Sequence, residues 1–343
     1  MSGARRVQVL VVGAGQAGLA AGYYLRRAGL DFTILDANSA PGGAWQHYWD
    51  TLRLFSPAGY SSLPGRPMLQ QPGEEYPDAA HVVAYLAEYE KRYDLPIHRP
   101  IRVEAIARDV DGITVTTDGG TWRSRAVVLA TGNWEHPFVP ALSGRGDFTG
   151  RQLHTHEYRT AADFAGQRVI VVGGANSGAQ IAADLHTVAT VRWVTQRPAR
   201  YLPDDIDGRA LFDLATRRVQ AGGPRISDLG DIVAVPPVRA ARAAGLTSRP
   251  MFDHLTPAGA AWADGTTWDC DTVIWCTGFR PDLPAIDLAR TDGRIPTEGT
   301  RSAEDPRIHF LGYGDWTGPA SATLIGVGRT ARAAVAEITA LLN

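Results

Sequence analysis

Two stretches constrain this chain more than anything else in it: VVGAGQAGLA at residues 11–20 and VVGGANSGAQ at residues 171–180. Each joins a short apolar run, as expected of a parallel strand buried on both faces, to a glycine turn and a helix-forming segment. Parallel neighbours need a crossover connection, so each stretch predicts a βαβ unit. The turns begin 160 residues apart (173 minus 13), which is duplication on the scale of a domain. A chain of 343 residues has room for two or three domains with ample core.

In the first unit, Val7 to Val12 is the strand, Leu19 to Ala28 is helical in composition, and Phe32 to Leu35 forms the next strand. Gly13 permits the tight turn, Gly15 lets the backbone approach a pyrophosphate, and Gly18 lets helix and strand pack closely. Amides at the helix start then meet the phosphates. Asp36, 18 residues after Gly18, is placed to bond ribose hydroxyls, which favours an unphosphorylated adenosine such as that of FAD or NAD. The second unit keeps Gly173 and Gly178 but carries Ala175 in the middle, where a methyl crowds the pyrophosphate without excluding it. Its second strand, Val191 to Thr195, is followed by Arg197, and a guanidinium suits the 2′-phosphate of NADP. The plainer alternative is a glycine turn kept for packing, with a solvated arginine after it.

Between these units, residues 40–77 are rich in Pro, Gly and aromatics with little periodicity, a long excursion of the sort that lines a site. His81 to Tyr93 is read as helix and Ile101 to Leu129 as hairpin strands. Residues 201–262 are poorly patterned, with one helix expected over Ala210 to Val219. Thr272 to Cys276 and His309 to Asp315 are read as strands, and Ala320 to Leu342 as a closing helix.

Composition removes several function classes. A net charge of −2 with interspersed signs gives no basic stripe for nucleic acid and no polybasic membrane patch. No run of about 18 apolar residues predicts a membrane span. Arg5 and Arg6 ahead of an apolar run resemble a signal peptide, but such a segment has no use for glycines at 13, 15 and 18. The two cysteines, Cys270 and Cys276, form neither a CxxC pair nor a disulfide framework, so a reducing cytoplasm is expected. Lys91 is the single lysine, which argues against Schiff-base chemistry.

Phe148 to Tyr158 fits FxGxxxHxxxY just ahead of the second glycine loop, with His154 and Tyr158 at its fixed positions. On this pattern, together with the two loops, the chain resembles the class B flavin monooxygenases. Ala130-Thr131-Gly132 and Cys276-Thr277-Gly278 look like that family's strand-end motifs, and the match spans most of the chain. WDTLRLFSP at 49–57 and Tyr76-Pro77 are similar to the YUCCA-type monooxygenases. PGGAWQHYWD, LPDDIDG and GYGDWTGPASATLIGVGRTAR resemble the small bacterial ArsO type, encoded beside arsenic-resistance genes.

The resemblance implies FAD at Gly13, Gly15, Gln16, Ala17, Gly18, Asp36, Gly43, Trp45, Val103, Ala130, Thr131 and Gly132. It implies NADPH at Gly173, Ala175, Asn176, Ser177, Gly178, Gln180, Arg197, Thr277 and Gly278. Asp315 is read either as a ribityl contact or as a simple turn or cap residue, with Ser321 and Thr323 as the other polar candidates. Class B enzymes often place an Asn beside the reactive flavin carbon, in the segment corresponding to 53–58; here Ser56 and Pro57 stand there. Ser56, Gln46, Trp45 or bound NADP would have to substitute, and His154 is carried over as a catalytic candidate.

The expectation is an α/β flavoprotein with two Rossmann-like domains. Residues 1–147 and 281–343 would bind FAD, and an NADP domain at 148–280 would be inserted between them. NADPH would reduce FAD, and a C4a-hydroperoxide would pass one oxygen atom of dioxygen to a small-molecule substrate; a homodimer is left open. The competing readings are an NADPH-dependent flavin oxidase or reductase without oxygen transfer, and a flavin-binding redox sensor.

Overall fold

The computed structural model describes residues 4–204, 206–210, 232–291 and 293–343. Its first half supplies β1 (Arg5–Val12), β2 (Phe32–Leu35), β3 (Ile97–His98), β4 (Val103–Asp109), β5 (Gly112–Thr117) and β6 (Gly120–Leu129), with α1 (Gln16–Arg27) and α2 (Ala79–Arg92). The last four residues of β1 are buried because parallel neighbours lie on both sides: Val12 registers with Leu35 of β2 and with Leu129 of β6. β4, β5 and β6 form an antiparallel meander, as the turn signals predict.

The middle of the chain supplies β7 (Arg151–His154), β8 (Arg168–Val172), α3 (Asn176–Leu185), β9 (Thr190–Thr195), α4 (Pro236–Ala243) and β10 (Ser248–Pro250). There follow β11 (His254–Thr256), β12 (Gly259–Ala261), β13 (Thr267–Asp269) and β14 (Thr272–Trp275). A second, wholly parallel sheet runs in the order β10-β9-β8-β14-β7, while β11, β12 and β13 make a small antiparallel sheet. The chain then returns to the first sheet through β15 (Ala285–Ile286), β16 (Thr297–Glu298), β17 (Arg301–Ser302) and β18 (Ile308–Phe310), the last parallel to β6. α5 (Leu324–Leu342) closes the chain, and its Val327, Ala331 and Ala334 share a core with Leu19 and Ala20 of α1.

The two glycine turns are built alike. Gly13 has φ of +99°, and a Cβ there would stand 2.5 Å from the Ala130 carbonyl oxygen; at Gly18 it would stand 1.8 Å from the Gly13 oxygen. In the second turn the matching positions are Gly173, with φ of +143° and Cys276 O at 2.2 Å, and Gly178, with Gly173 O at 2.2 Å. Only hydrogen fits at such positions.

Some boundaries differ from expectation. α1 and α3 start three residues earlier than read, because the end of each glycine loop is already the first helical turn. β18 stops at Phe310 since Gly312 and Gly314 turn the chain with φ of +87° and +68°. α5 begins at Leu324 behind the cap Thr323. The helix expected over Ala210 to Val219 lies for the most part outside the described residues. The 40–77 excursion holds short 3-10 turns at Gly43–His47 and Ala58–Tyr60. From it and the start of α2, Trp49, Leu52, Tyr76 and Ala79 enter one buried cluster with Leu153, Tyr158 and Val235 of the second half.

Candidate active site

Two cavities share part of their lining. The first, of about 370 Å³, lies over the C-terminal ends of β1 and β2, where an open parallel sheet receives a ligand. It is lined by Gly13, Gly15, Gln16, Ala17, Asp36, Gly43, Trp45, Val103, Ala130, Thr131 and Gly132, all predicted from the sequence. At the start of α1, Gly15 is the N-cap, no side chain caps the helix and no acid stands in its first turn, so backbone amides are left for an anion. A Cβ on Gly43, φ +55°, would lie 2.7 Å from the Gly15 Cα, so two bare backbones meet under the cavity. The Asp36 carboxylate at the end of β2 is buried and receives Asn38 Nδ2 at 3.1 Å and Arg99 Nε at 3.3 Å. Arg99 in turn is held bidentately by Glu90, at 2.9 and 2.8 Å.

The second cavity, of about 230 Å³, is walled by Leu52 to Ser56, Tyr60, Asn176, Ser177, Gln180 and Ala322 to Leu324. Trp45, Tyr48 and Ala322 line both cavities. Gln16 ties that junction together: its Oε1 accepts from Trp45 Nε1 at 2.9 Å, and its Nε2 donates to the Ala322 carbonyl at 2.7 Å. Burial pushes the Tyr48 hydroxyl up to about 12, so it stays a neutral wall residue at physiological pH. Arg53 is neutralised by Glu74 at 2.9 Å and Asp78 at 3.8 Å, leaving an aromatic and aliphatic cavity without free charge among its lining residues. Gly208 closes over Ser56: its N–H donates to the Phe55 carbonyl at 2.6 Å, and a Cβ there would fall 1.9 Å from Ser56 Oγ.

The second glycine loop feeds this cavity through Asn176 and Ser177. Ala175 is the N-cap of α3, again without side-chain cap or first-turn acid. Asn176 Oδ1 accepts from the Val233 N–H at 2.9 Å. Arg197 is exposed just past β9 and has no ion-pair partner among the described residues.

Several candidates stand elsewhere. His154 is buried away from both cavities, its Nε2 donating to the Gly278 carbonyl at 3.0 Å and its Nδ1 accepting the His156 N–H at 3.1 Å. Both ring nitrogens are spent, and burial, opposed by the Gly278 bond, holds its pKa below the usual histidine value. It is therefore a neutral brace, not an acid or base. Thr277 bonds the Phe138 carbonyl and Gly278 receives the Phe138 N–H, so these two also brace the crossing segment. Gln46 Nε2 donates to the Gly43 carbonyl at 3.0 Å, fixing the turn instead of facing a cavity. Asp315 is exposed on a 3-10 turn and lines neither cavity; Ser321 is fully buried, bonding the Gly314 carbonyl at 2.8 Å. Thr323 does line the second cavity, but its Oγ1 accepts the Gly326 N–H at 3.0 Å as the α5 cap. Gly18, Gly173 and Gly178 serve close packing within the turns.

Sequence reasoning missed Tyr48, Trp134, Asp282 and Gly312 in the first cavity and Leu52, Leu54 and Tyr60 in the second. The Tyr48-Trp49 pair inside a Pro/Gly-rich excursion was a usable signal, since aromatics there must find a wall. Asp282 lies next to His136 at 3.4 Å, and burial pushes its carboxyl up.

The family model for pyridine nucleotide-disulphide oxidoreductases matches residues 10–205. The flavin-containing monooxygenase from Stenotrophomonas maltophilia is 48% identical, with 99% of this chain and 100% of that chain covered at a TM-score of 0.91. This chain is a flavin monooxygenase of that oxidoreductase family. An uncharacterised CzcO-like oxidoreductase of Geobacillus kaustophilus is 30% identical over 97% of the monooxygenase and 98% of the relative. An indole-3-pyruvate monooxygenase of the YUCCA type from Oryza sativa subsp. japonica is 26% identical over 80% and 74%. FAD and NADPH are the cofactors of the family. The open helix start, the touching glycines and buried Asp36 of the first cavity fit the adenosine diphosphate of FAD; the α3 start and free Arg197 fit that of NADPH. Among the described residues no helix is long and apolar enough to cross a membrane, and no cluster of His, Cys, Asp or Glu is arranged to hold a metal.

Proposed function

We propose that this monooxygenase binds FAD in the first cavity, receives reducing equivalents from NADPH held at α3, and oxygenates a small uncharged molecule in the second. Bound FAD would supply the redox chemistry, accepting reducing equivalents from NADPH and passing one oxygen atom of dioxygen to the substrate. The observation that carries the proposal is the junction: Trp45, Tyr48 and Ala322 belong to both cavities, and each cavity is reached by the uncapped start of a different dinucleotide helix. Residues 1–147 and 281–343 are assigned to the FAD half and 148–280 to the NADP half, and the membership of the two sheets supports that division.

The chain's own residues do the binding and shielding. Gly13 to Ala17 and Asp36 hold the FAD adenosine diphosphate; Ala175 to Ser177 and Arg197 hold that of NADPH. Trp45, held by Gln16, fixes the wall between the cavities. Leu52, Leu54, Phe55 and Tyr60 exclude water, which protects a reactive oxygen donor from hydrolysis. Because Arg53 is already paired with Glu74 and Asp78, nothing in the wall rewards a carboxylate, and the neutral lining favours a thioether, amine or ketone.

The test is to reduce the FAD-loaded enzyme with NADPH without air, then admit air with methyl phenyl sulfide. Sulfoxide formed in proportion to NADPH consumed supports oxygen transfer. Stoichiometric hydrogen peroxide with no sulfoxide, across neutral sulfides and ketones, would establish an oxidase instead. Ser56-Pro57 in place of the family's Asn is the feature that gives that second reading its interest.

A further inference from the structure

Gln180 is almost fully buried one turn into α3, and both ends of its amide are committed to the backbone of one residue 127 positions away. Its Oε1 accepts from Arg53 N at 3.0 Å, and its Nε2 donates to Arg53 O at 3.0 Å. That pair of bonds is what a neighbouring antiparallel strand would offer, and it fixes the orientation of the amide. On the far side, Arg53 bridges Asp78 in antiparallel register and the Leu54 N–H donates to the Pro77 carbonyl at 2.9 Å. Arg53 and Leu54 are thus held like the middle strand of a sheet, with a side chain standing in for one neighbour.

Placement gives this clamp a consequence beyond satisfying a buried peptide. Gln180 lies on the same helix as Asn176 and Ser177, and all three line the cavity together with Leu52 to Ser56. The helix whose start is open to the second nucleotide is therefore fastened by two hydrogen bonds to the backbone of the substrate wall. We propose that Gln180 is a positioning residue that transmits occupancy of the second nucleotide loop to the shape of the substrate wall. The inference rests on the functional reading above, but part of its test does not.

Gln180→Met keeps the length of the side chain and removes both bonds. Amide hydrogen exchange over residues 52–56 is measured with and without NADP⁺, alongside anaerobic flavin reduction and aerobic oxidation of methyl phenyl sulfide. In the natural enzyme NADP⁺ slows exchange in this segment. In the variant the Arg53 amide exchanges about tenfold faster, as expected for the loss of one or two net hydrogen bonds, and NADP⁺ no longer protects it. The sulfide KM rises by about fivefold or more and peroxide per NADPH increases, while the anaerobic reduction rate falls by no more than about twofold. Gln180→Glu retains the acceptor for the Arg53 N–H but opposes the Arg53 carbonyl with a carboxylate; its sulfide KM recovers as pH falls and the protonated side chain regains a donor.

Equal protection by NADP⁺ in the natural enzyme and Gln180→Met, or an unchanged KM and peroxide yield, overturns the proposal. So does a reduction rate that falls in step with oxygenation, or failure of both variants to fold, which would make Gln180 a core residue only. If the natural enzyme makes no sulfoxide yet NADP⁺ still protects residues 52–56 through Gln180, the oxygen-transfer reading falls and the coupling stands.

Discussion

Arg197 extends past the end of β9 with no acid to satisfy it among the described residues, so its guanidinium is available to a phosphate dianion. Arg197→Ala should weaken NADPH by about 1.5–3 kcal/mol, the worth of a charge-assisted hydrogen bond, and NADH far less. Titration of both nucleotides into the variant decides it, and equal losses would remove the residue from the 2′-phosphate. A second residue-scale effect concerns His309, fully buried on β18 with Nδ1 3.2 Å from Thr300 Oγ1 and Nε2 without a hydrogen-bond partner. Burial first, and then Arg301, press its pKa down to about 4, against an opposing pull from the Pro306 carbonyl. A histidine whose folded pKa is depressed contributes stability that is complete above the unfolded value near 6.5 and is lost as pH falls through about 4. Urea unfolding at pH 7.5 and pH 4.5 should therefore differ by about 2–3 kcal/mol from this group, and His309→Gln should flatten that part of the slope. An unchanged slope would show that other groups dominate.

At the scale of elements, Thr323 decides where α5 begins by accepting the Gly326 N–H. Thr323→Ala should cost about 1 kcal/mol, read as a lower midpoint in thermal unfolding. A rise in the sulfide KM larger than the stability change explains would instead mean that the hydroxyl serves the cavity it lines. Glycine spacing made both βαβ units legible because only hydrogen fits at Gly13, Gly18, Gly173 and Gly178. The same logic placed Gly15 and Asp36 on the first cavity, since their positions follow from the turn itself. His154, Gln46, Asp315 and Ser321 were not legible in this way. A motif fixes where a residue lies along the chain, but whether a side chain faces a ligand or a backbone carbonyl depends on partners far away, such as Gly278 for His154. Gln180 illustrates the point most sharply: its position was read as a nucleotide contact, and its amide is spent on Arg53.

Across the whole molecule, the second half is not a self-contained block attached to the first. Trp49, Leu52 and Tyr76 come from the long excursion of the first half, yet they complete the core formed by Tyr158, Ile181 and Val235. No local pattern in 40–77 announced this, because irregular backbone carries no period from which a buried face can be read. Trp49→Ala should cost about 3–5 kcal/mol in urea unfolding, a core-sized loss from a residue outside any helix or strand. A hybrid that exchanges residues 148–280 with a distant relative inherits a foreign wall against Trp49 and Tyr76, whereas one that also exchanges 48–79 keeps that seam intact. The second hybrid should be the one that expresses as a folded, yellow protein, and recombination among relatives should have moved these two separated segments together.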